Sequence, residues 1–315
     1  MQGVSGTRLH VILRLDPGAD AGRVVRMWFE QAWARLGGSL RDHLAAHPLP
    51  VDDIRDVLNA ARIRDVFPQV GLPWCDLILF GGDYGKDVVA ARTMNPSSWS
   101  WFLTELEGDG LATAYLSGGF IDKNVQGHGG VGPGGPNLQV RVETIGPIIE
   151  QVWLGLSAYP DFLAGTPEME KAVCAFLRDV AATVEYTYGE ISFQSAGRIP
   201  GASLLENALR HLDYPSKRQS WIVHPNDQLR GYSWVTLVPG DLVGRLGGVE
   251  MLEDSGAFHL VSALPAGGVW LQATERLADY DLVAARKVFD VLRPVLIRGR
   301  PATPPASGLL VDEAP

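Results

Sequence analysis

An α+β chain of two ferredoxin-like (βαββαβ) halves, with antiparallel sheets and helices on one face of each, is predicted from the order of elements. Three observations carry it. The last third reads β-α-β-β-α-β from residue 231 to 297. The first two thirds read in the same order once one insertion is set aside. Every apolar run has the length of a strand or of one helix face, so two medium-sized cores are implied, not one long span.

The first half is assigned to residues 1–195. A strand at 8–15, RLHVILRL, ends at the turn Asp16-Pro17-Gly18, and a helix follows over 20–36. Val25, Trp28, Phe29, Ala32 and Leu36 recur there at helical spacing, and Gly37-Gly38 stops the run. Residues 39–110 read as an irregular insertion. It holds short helices at 40–46, 51–63 and 97–107 and a strand-like run at 75–80. Strands at 111–120 and 137–145 flank a Gly-rich hairpin loop. A further strand at 152–158 fits the pattern imperfectly. Thr166-Pro167-Glu168 reads as the cap, first position and first-turn acid of a helix running to Val184. A strand at 188–194 closes this half.

The second half is assigned to 196–298. It starts with a helix at 204–212, followed by the strand GYSWVTLV at 231–238. A helix at 241–248 ends in Gly-Gly. Strands at 257–264 and 269–274 form a hairpin, and a helix capped by Asp279 has Leu282, Ala285, Phe289 and Leu292 on one face. Val295-Leu296-Ile297 is the last strand. Residues 299–315, GRPATPPASGLLVDEAP, read as a flexible tail.

Composition narrows the function. The formal net charge is −9, with 27 Lys and Arg against 36 Asp and Glu, which argues against nucleic acid as a partner. No basic, apolar-cored leader opens the chain, and no run approaches the ~18–20 apolar residues of a membrane span. The expectation is a cytoplasmic protein without membrane contact. Two cysteines, Cys75 and Cys174, make no disulfide framework and read as small core residues.

No motif carries recognisable catalysis. Gly127-x-Gly129-x-x-Gly132 matches a dinucleotide fingerprint in form, but Pro133 and a strand follow where the fingerprint needs a helix. His43 and His47 have ligand spacing on a helix, without the Glu of a metalloprotease or further ligands. No cofactor and no metal is expected. Acidic clusters stand beside aromatics at Trp99, Trp101, Glu105, Glu107 and Asp109, a composition suited to anchoring and steering a basic partner. A second candidate set is Glu190, His224, Asp227 and Tyr232, the polar groups from which an enzyme or small-molecule site in a pocket between the two sheets would be built.

One stretch carries a resemblance. It comprises Tyr188-Gly189-Glu190-Ile191-Ser192-Phe193, then Arg230-Gly231-Tyr232-Ser233-Trp234-Val235-Thr236, then Leu246-Gly247-Gly248, the turn Ala266-Gly267-Gly268-Val269 and a closing Leu292-x-Pro294. This resembles the type VI immunity-protein family of polymorphic-toxin systems, mainly over residues 188–298. The resemblance implies a bacterial cytoplasmic protein that binds and blocks a cognate toxin without catalysis. Its partner would be a protein, such as a basic toxin domain. It transfers no catalytic residues.

Overall fold

A computed structural model describes residues 7–15, 21–46, 71, 73–81, 87–107, 113–122, 132–133, 138–145, 151–158, 167–195, 203–208, 227–299 and 310. The elements are β1 (Thr7–Leu15), α1 (Ala21–Leu36), α2 (Gly38–Ala46), β2 (Pro73–Gly81), β3 (Asp87–Thr93), α3 (Pro96–Glu105), β4 (Thr113–Asp122), β5 (Gly132–Pro133), β6 (Leu138–Ile145) and β7 (Gln151–Ala158). Then come α4 (Pro167–Ala181), β8 (Tyr188–Ser195), α5 (Leu204–Ala208), β9 (Val235–Val238), α6 (Gly240–Arg245), α7 (Gly248–Asp254), β10 (Leu260–Ala263), β11 (Val269–Gln272) and α8 (Leu282–Leu292). The predicted helix at 51–63 and the Gly-rich fingerprint at 127–131 lie outside the described residues.

The chain forms two compact units that do not follow the 1–195 and 196–298 division read from element order. One comprises residues 1–16 with 166–315, and the other is 17–165. The reason is a single pairing: β1 runs antiparallel to β8, Thr7 opposite Ser195 through Arg14 opposite Tyr188. The first strand therefore belongs with the last half of the chain.

In the unit of residues 17–165 the strands run β7-β6-β4-β2-β3, every neighbouring pair antiparallel. The region expected to be an irregular insertion thus supplies sheet. β2 pairs with both β3 and β4 because its residues alternate: Cys75, Leu77 and Leu79 are buried, while Asp76, Ile78 and Phe80 are half-buried. The buried set continues through Leu116, Val140 and Leu154 under the helices. Gly118 lets Leu40 of α2 approach; a Cβ there would stand 2.6 Å from Leu40 Cδ2. Trp28 of α1, fully buried, donates its indole N–H to the Gly155 carbonyl at 3.2 Å.

In the other unit the order is β10-β11-β9-β8-β1, again antiparallel. Helices cover both faces here, not one. Val269 and Leu271 join the core with Val288, Phe289 and Leu292 of α8, whereas Trp270, between them, points the opposite way and meets Arg178 of α4. β9, β10 and β11 keep the predicted split order. The fourth place, beside β9, is held by β8. Among the described residues, the expected last strand makes one parallel bridge, Leu296 with Leu229.

Three local expectations also shift. The strand predicted at 231–238 is extended sheet only from Val235, because Ser233 bonds locally: its N–H donates to Thr236 Oγ1 and its hydroxyl to the Val235 carbonyl. Gly247 and Gly248, with φ of 88° and 89°, separate two short helices and do not end the run. Asp281 caps α8, accepting from the N–H groups of Val283 and Ala284 at 2.9 Å each, and Leu282 is 64% exposed, not part of the core.

Candidate functional site

The first candidate set sits on α3, in the unit of residues 17–165. Asn95 starts the helix by accepting from the Ser98 N–H at 2.8 Å, and Pro96 follows it. Phe102 and Leu103 then face the core, with Phe102 edge-on to Phe29 of α1 at 5.1 Å. Trp99 and Trp101 are half-buried at the margin of that core. Trp99 stacks on Phe102 at 6.0 Å and approaches Trp33 of α1 at 6.3 Å. Trp101 carries the Arg92 guanidinium over its ring at 4.0 Å.

Glu105 is exposed one turn beyond Trp101, and no ion pair to it occurs among the described residues. Glu107 is exposed but engaged, 3.1 Å from Arg26, which also pairs with Glu30 at 3.1 Å. Asp109 lies outside the described residues. The helix therefore presents rigid aromatic edges beside one unneutralised carboxylate.

The second set does not converge on one site among the described residues. His224 lies outside them. Asp227 is exposed, and its carbonyl oxygen accepts from Arg245. Tyr232 is fully buried, and its hydroxyl both donates to the Leu310 carbonyl and accepts from the Leu310 N–H, each at 2.9 Å. Leu310 also packs on the core of this unit, so this residue of the expected flexible tail is docked.

Glu190 is fully buried in a polar layer that sequence reading passed over. It accepts from the Tyr188 hydroxyl at 2.6 Å, the Ser192 hydroxyl at 3.1 Å and the Leu204 N–H at 3.0 Å. Burial dominates these bonds and pushes its carboxyl up to about 7. Glu206, equally buried, goes the other way. Burial would raise it, but Arg14 and Arg230 outweigh that cost and hold it below the usual carboxylate range. Arg14 grips it with both terminal nitrogens, at 2.5 and 3.2 Å, and Arg230 Nε lies 3.4 Å away. Burial in turn lowers the Arg230 guanidinium to about 10.

The same Glu206 closes a capping box. Its carboxylate accepts from the Ser203 N–H at 2.8 Å while the Ser203 hydroxyl accepts from the Glu206 N–H at 3.0 Å. Ser203-Leu204-Leu205-Glu206 is the S-x-x-E signature, the signal that would have found this residue. This buried layer ties β1, β8 and α5 together.

Among the described residues no group of His, Cys, Asp or Glu is placed to hold a metal ion. His43 is exposed with Nδ1 2.6 Å from the Ser39 carbonyl oxygen, and His47 lies outside the described residues. Cys75 is buried, as expected of a core residue. Cys174 is only partly so, because it lines a cavity of about 430 Å³ between α4 and the β9–β11 region. No described helix is long and apolar enough to cross a membrane.

The geometry defines a mixed α/β protein of antiparallel sheets, with a braced interior and an aromatic–acidic helix margin. No family model matches the sequence, and no curated protein matches it. Among solved structures the chain is similar to the Pseudomonas aeruginosa T6SS protein PA0821, with a TM-score of 0.51 over 92% of this chain and 77% of that one. At 10% identity the likeness is one of fold.

Proposed function

We propose that the protein is a non-enzymatic immunity protein, which protects its own cell by binding a cognate toxin and occluding the toxin's active-site cleft. The observation that supports this most directly is α3: Trp99 and Trp101 half-exposed beside the unpaired Glu105. Aromatic anchors held by Phe102 and Trp33 lose little side-chain freedom on binding, and a neighbouring carboxylate steers a basic surface toward them. The fold likeness to a T6SS protein and the resemblance to the type VI immunity family point the same way.

The proposal places the partner's basic cleft over α3, with Glu107 released from Arg26 as the cleft arrives. Toxicity rescue tests it. Each toxin-like gene neighbouring this one is expressed with and without the protein, and growth and co-purification are read together. Protection against one such toxin is expected. In Trp101→Ala with Glu105→Lys, protection and complex formation should fall together by roughly 2 kcal/mol or more of binding energy. The reading fails if no neighbouring toxin is neutralised, or if that double variant protects as well as the parent.

A further inference from the structure

The cavity beside α4 lies wholly within the unit of residues 1–16 and 166–315, and none of its lining residues belongs to α3. Its volume, about 430 Å³, falls in the range of small-molecule sites, about 300–1,000 Å³. One wall is a single face of α4, from Glu170 and Lys171 through Cys174 to Arg178; the other includes Trp234 and Arg276.

Charge within it is unevenly used. Glu170 is consumed by Arg276, with contacts of 2.6 and 3.4 Å. Arg178 is different. Its guanidinium lies 4.6 Å from the ring centroid of Trp270, and its Nε is buried without a hydrogen-bond partner. A buried donor left unpaired costs on the order of 1–3 kcal/mol, so an acceptor arriving there recovers free energy. Lys171, exposed at the rim, adds a second cation without an ion pair among the described residues. Against these stands one exposed carboxylate, Glu275. Three cations, Lys171, Arg178 and Arg276, thus line the cavity against two carboxylates, Glu170 and Glu275, in a chain whose net charge is −9. The accessible apolar lining is Pro167, Cys174 and Ala175, while Trp234 closes the floor, 1% exposed and with its N–H donated to the Thr274 carbonyl at 2.9 Å.

We infer that this cavity is a binding site for a small carboxylate with an apolar body, the carboxylate held by Arg178 and Lys171 and the body laid against Cys174 and Ala175. The site stands independently of the immunity reading, since it uses none of the α3 residues. Cys174 is a passive wall in it. Burial pushes its thiol up to about 12, so it reports occupancy without reacting first.

The test uses the full chain and three probes: phenylacetate, benzylamine as the same body with opposite charge, and inorganic phosphate as an anion without a body. Tryptophan fluorescence, melting temperature and the rate of Cys174 alkylation are read for each. Phenylacetate is expected to bind saturably, raise the melting temperature and slow alkylation of Cys174. The other two probes should do neither. Arg178→Met keeps an apolar chain over Trp270 and should weaken phenylacetate roughly tenfold or more. Lys171→Met, at an exposed position that leaves folding intact, should weaken it by a smaller factor and serves if the first variant does not fold. The inference is overturned by an absence of saturable phenylacetate binding, by equal binding of benzylamine, by tighter binding of phosphate, or by unchanged affinity in the folded variants.

Discussion

Glu190 and Glu206 lie in the same buried layer, yet their proton affinities move in opposite directions. Glu206 faces two guanidinium groups; Glu190 accepts from neutral donors, the Tyr188 and Ser192 hydroxyls and the Leu204 N–H. The consequence for stability follows from linkage. The native state keeps the Glu190 proton up to about 7, while an unfolded chain releases it near the ordinary value of 4.5. Between those limits the native state binds more protons, so its stability falls as pH rises through that window and levels off above it. Burial also pushes Asp76 up to about 7, which adds a second fall of the same sign. Glu206 contributes the reverse, stability present above its unfolded value and lost on acidification through its lowered native one. Urea midpoints measured from about pH 4.5 to 7.5 should therefore show a decline, and Glu190→Gln should remove its share, roughly 3 kcal/mol. An identical slope in that variant would contradict the assignment. At this scale the sequence was partly legible. Glu190 and Tyr232 were picked out, but as polar groups of a pocket site with His224 and Asp227. Arg14 did not, because a strand pattern shows which face a side chain takes but not that an acid 192 residues away will neutralise it.

At the scale of elements, existence was more legible than extent. Residues 21–36 and 167–181 fold as the apolar spacing requires, and each buries the expected stripe. Two of the misplaced boundaries come from local hydrogen bonds that compete with the expected structure. Ser233 and Thr236 hold the chain out of the ladder before β9, and Asp281 takes the cap expected of Asp279. Leu310 belongs to the same class of long-range surprise, a tail residue seated by the hydroxyl of Tyr232. Tyr232→Phe keeps the ring against Phe289 and removes both bonds to Leu310. A loss of about 1 kcal/mol is expected, together with faster proteolytic trimming beyond residue 299 than in the parent. Trimming at the parent rate would show that Leu310 is held by packing alone.

Across the whole molecule, the antiparallel sheets and mixed α/β class were readable from element order, and the partition was not. Order along the chain shows that a strand exists, whereas pairing decides where it belongs. The stretch from 17 to 165 contributes the consecutive strands β7-β6-β4-β2-β3, its own aromatic core around Phe29 and Phe102, and its own helix layer. Its length lies in the ordinary range for an independent domain. Expressed alone, it should give a cooperative urea transition and native-like tryptophan emission; a non-cooperative transition would mean that the two units fold only together.

The pairing of β1 with β8 sets a timetable for biosynthesis. Val11 and Leu13 leave the ribosome early, but the strand opposite them starts at Tyr188. At about 5–20 residues per second, that partner follows on the order of ten seconds or more later. Through that interval the edge of β1 that β8 will cover stays unpaired while the intervening stretch has time to fold. The nascent protein thus carries an unfinished edge for most of its synthesis, the state in which a holding chaperone has most to offer it.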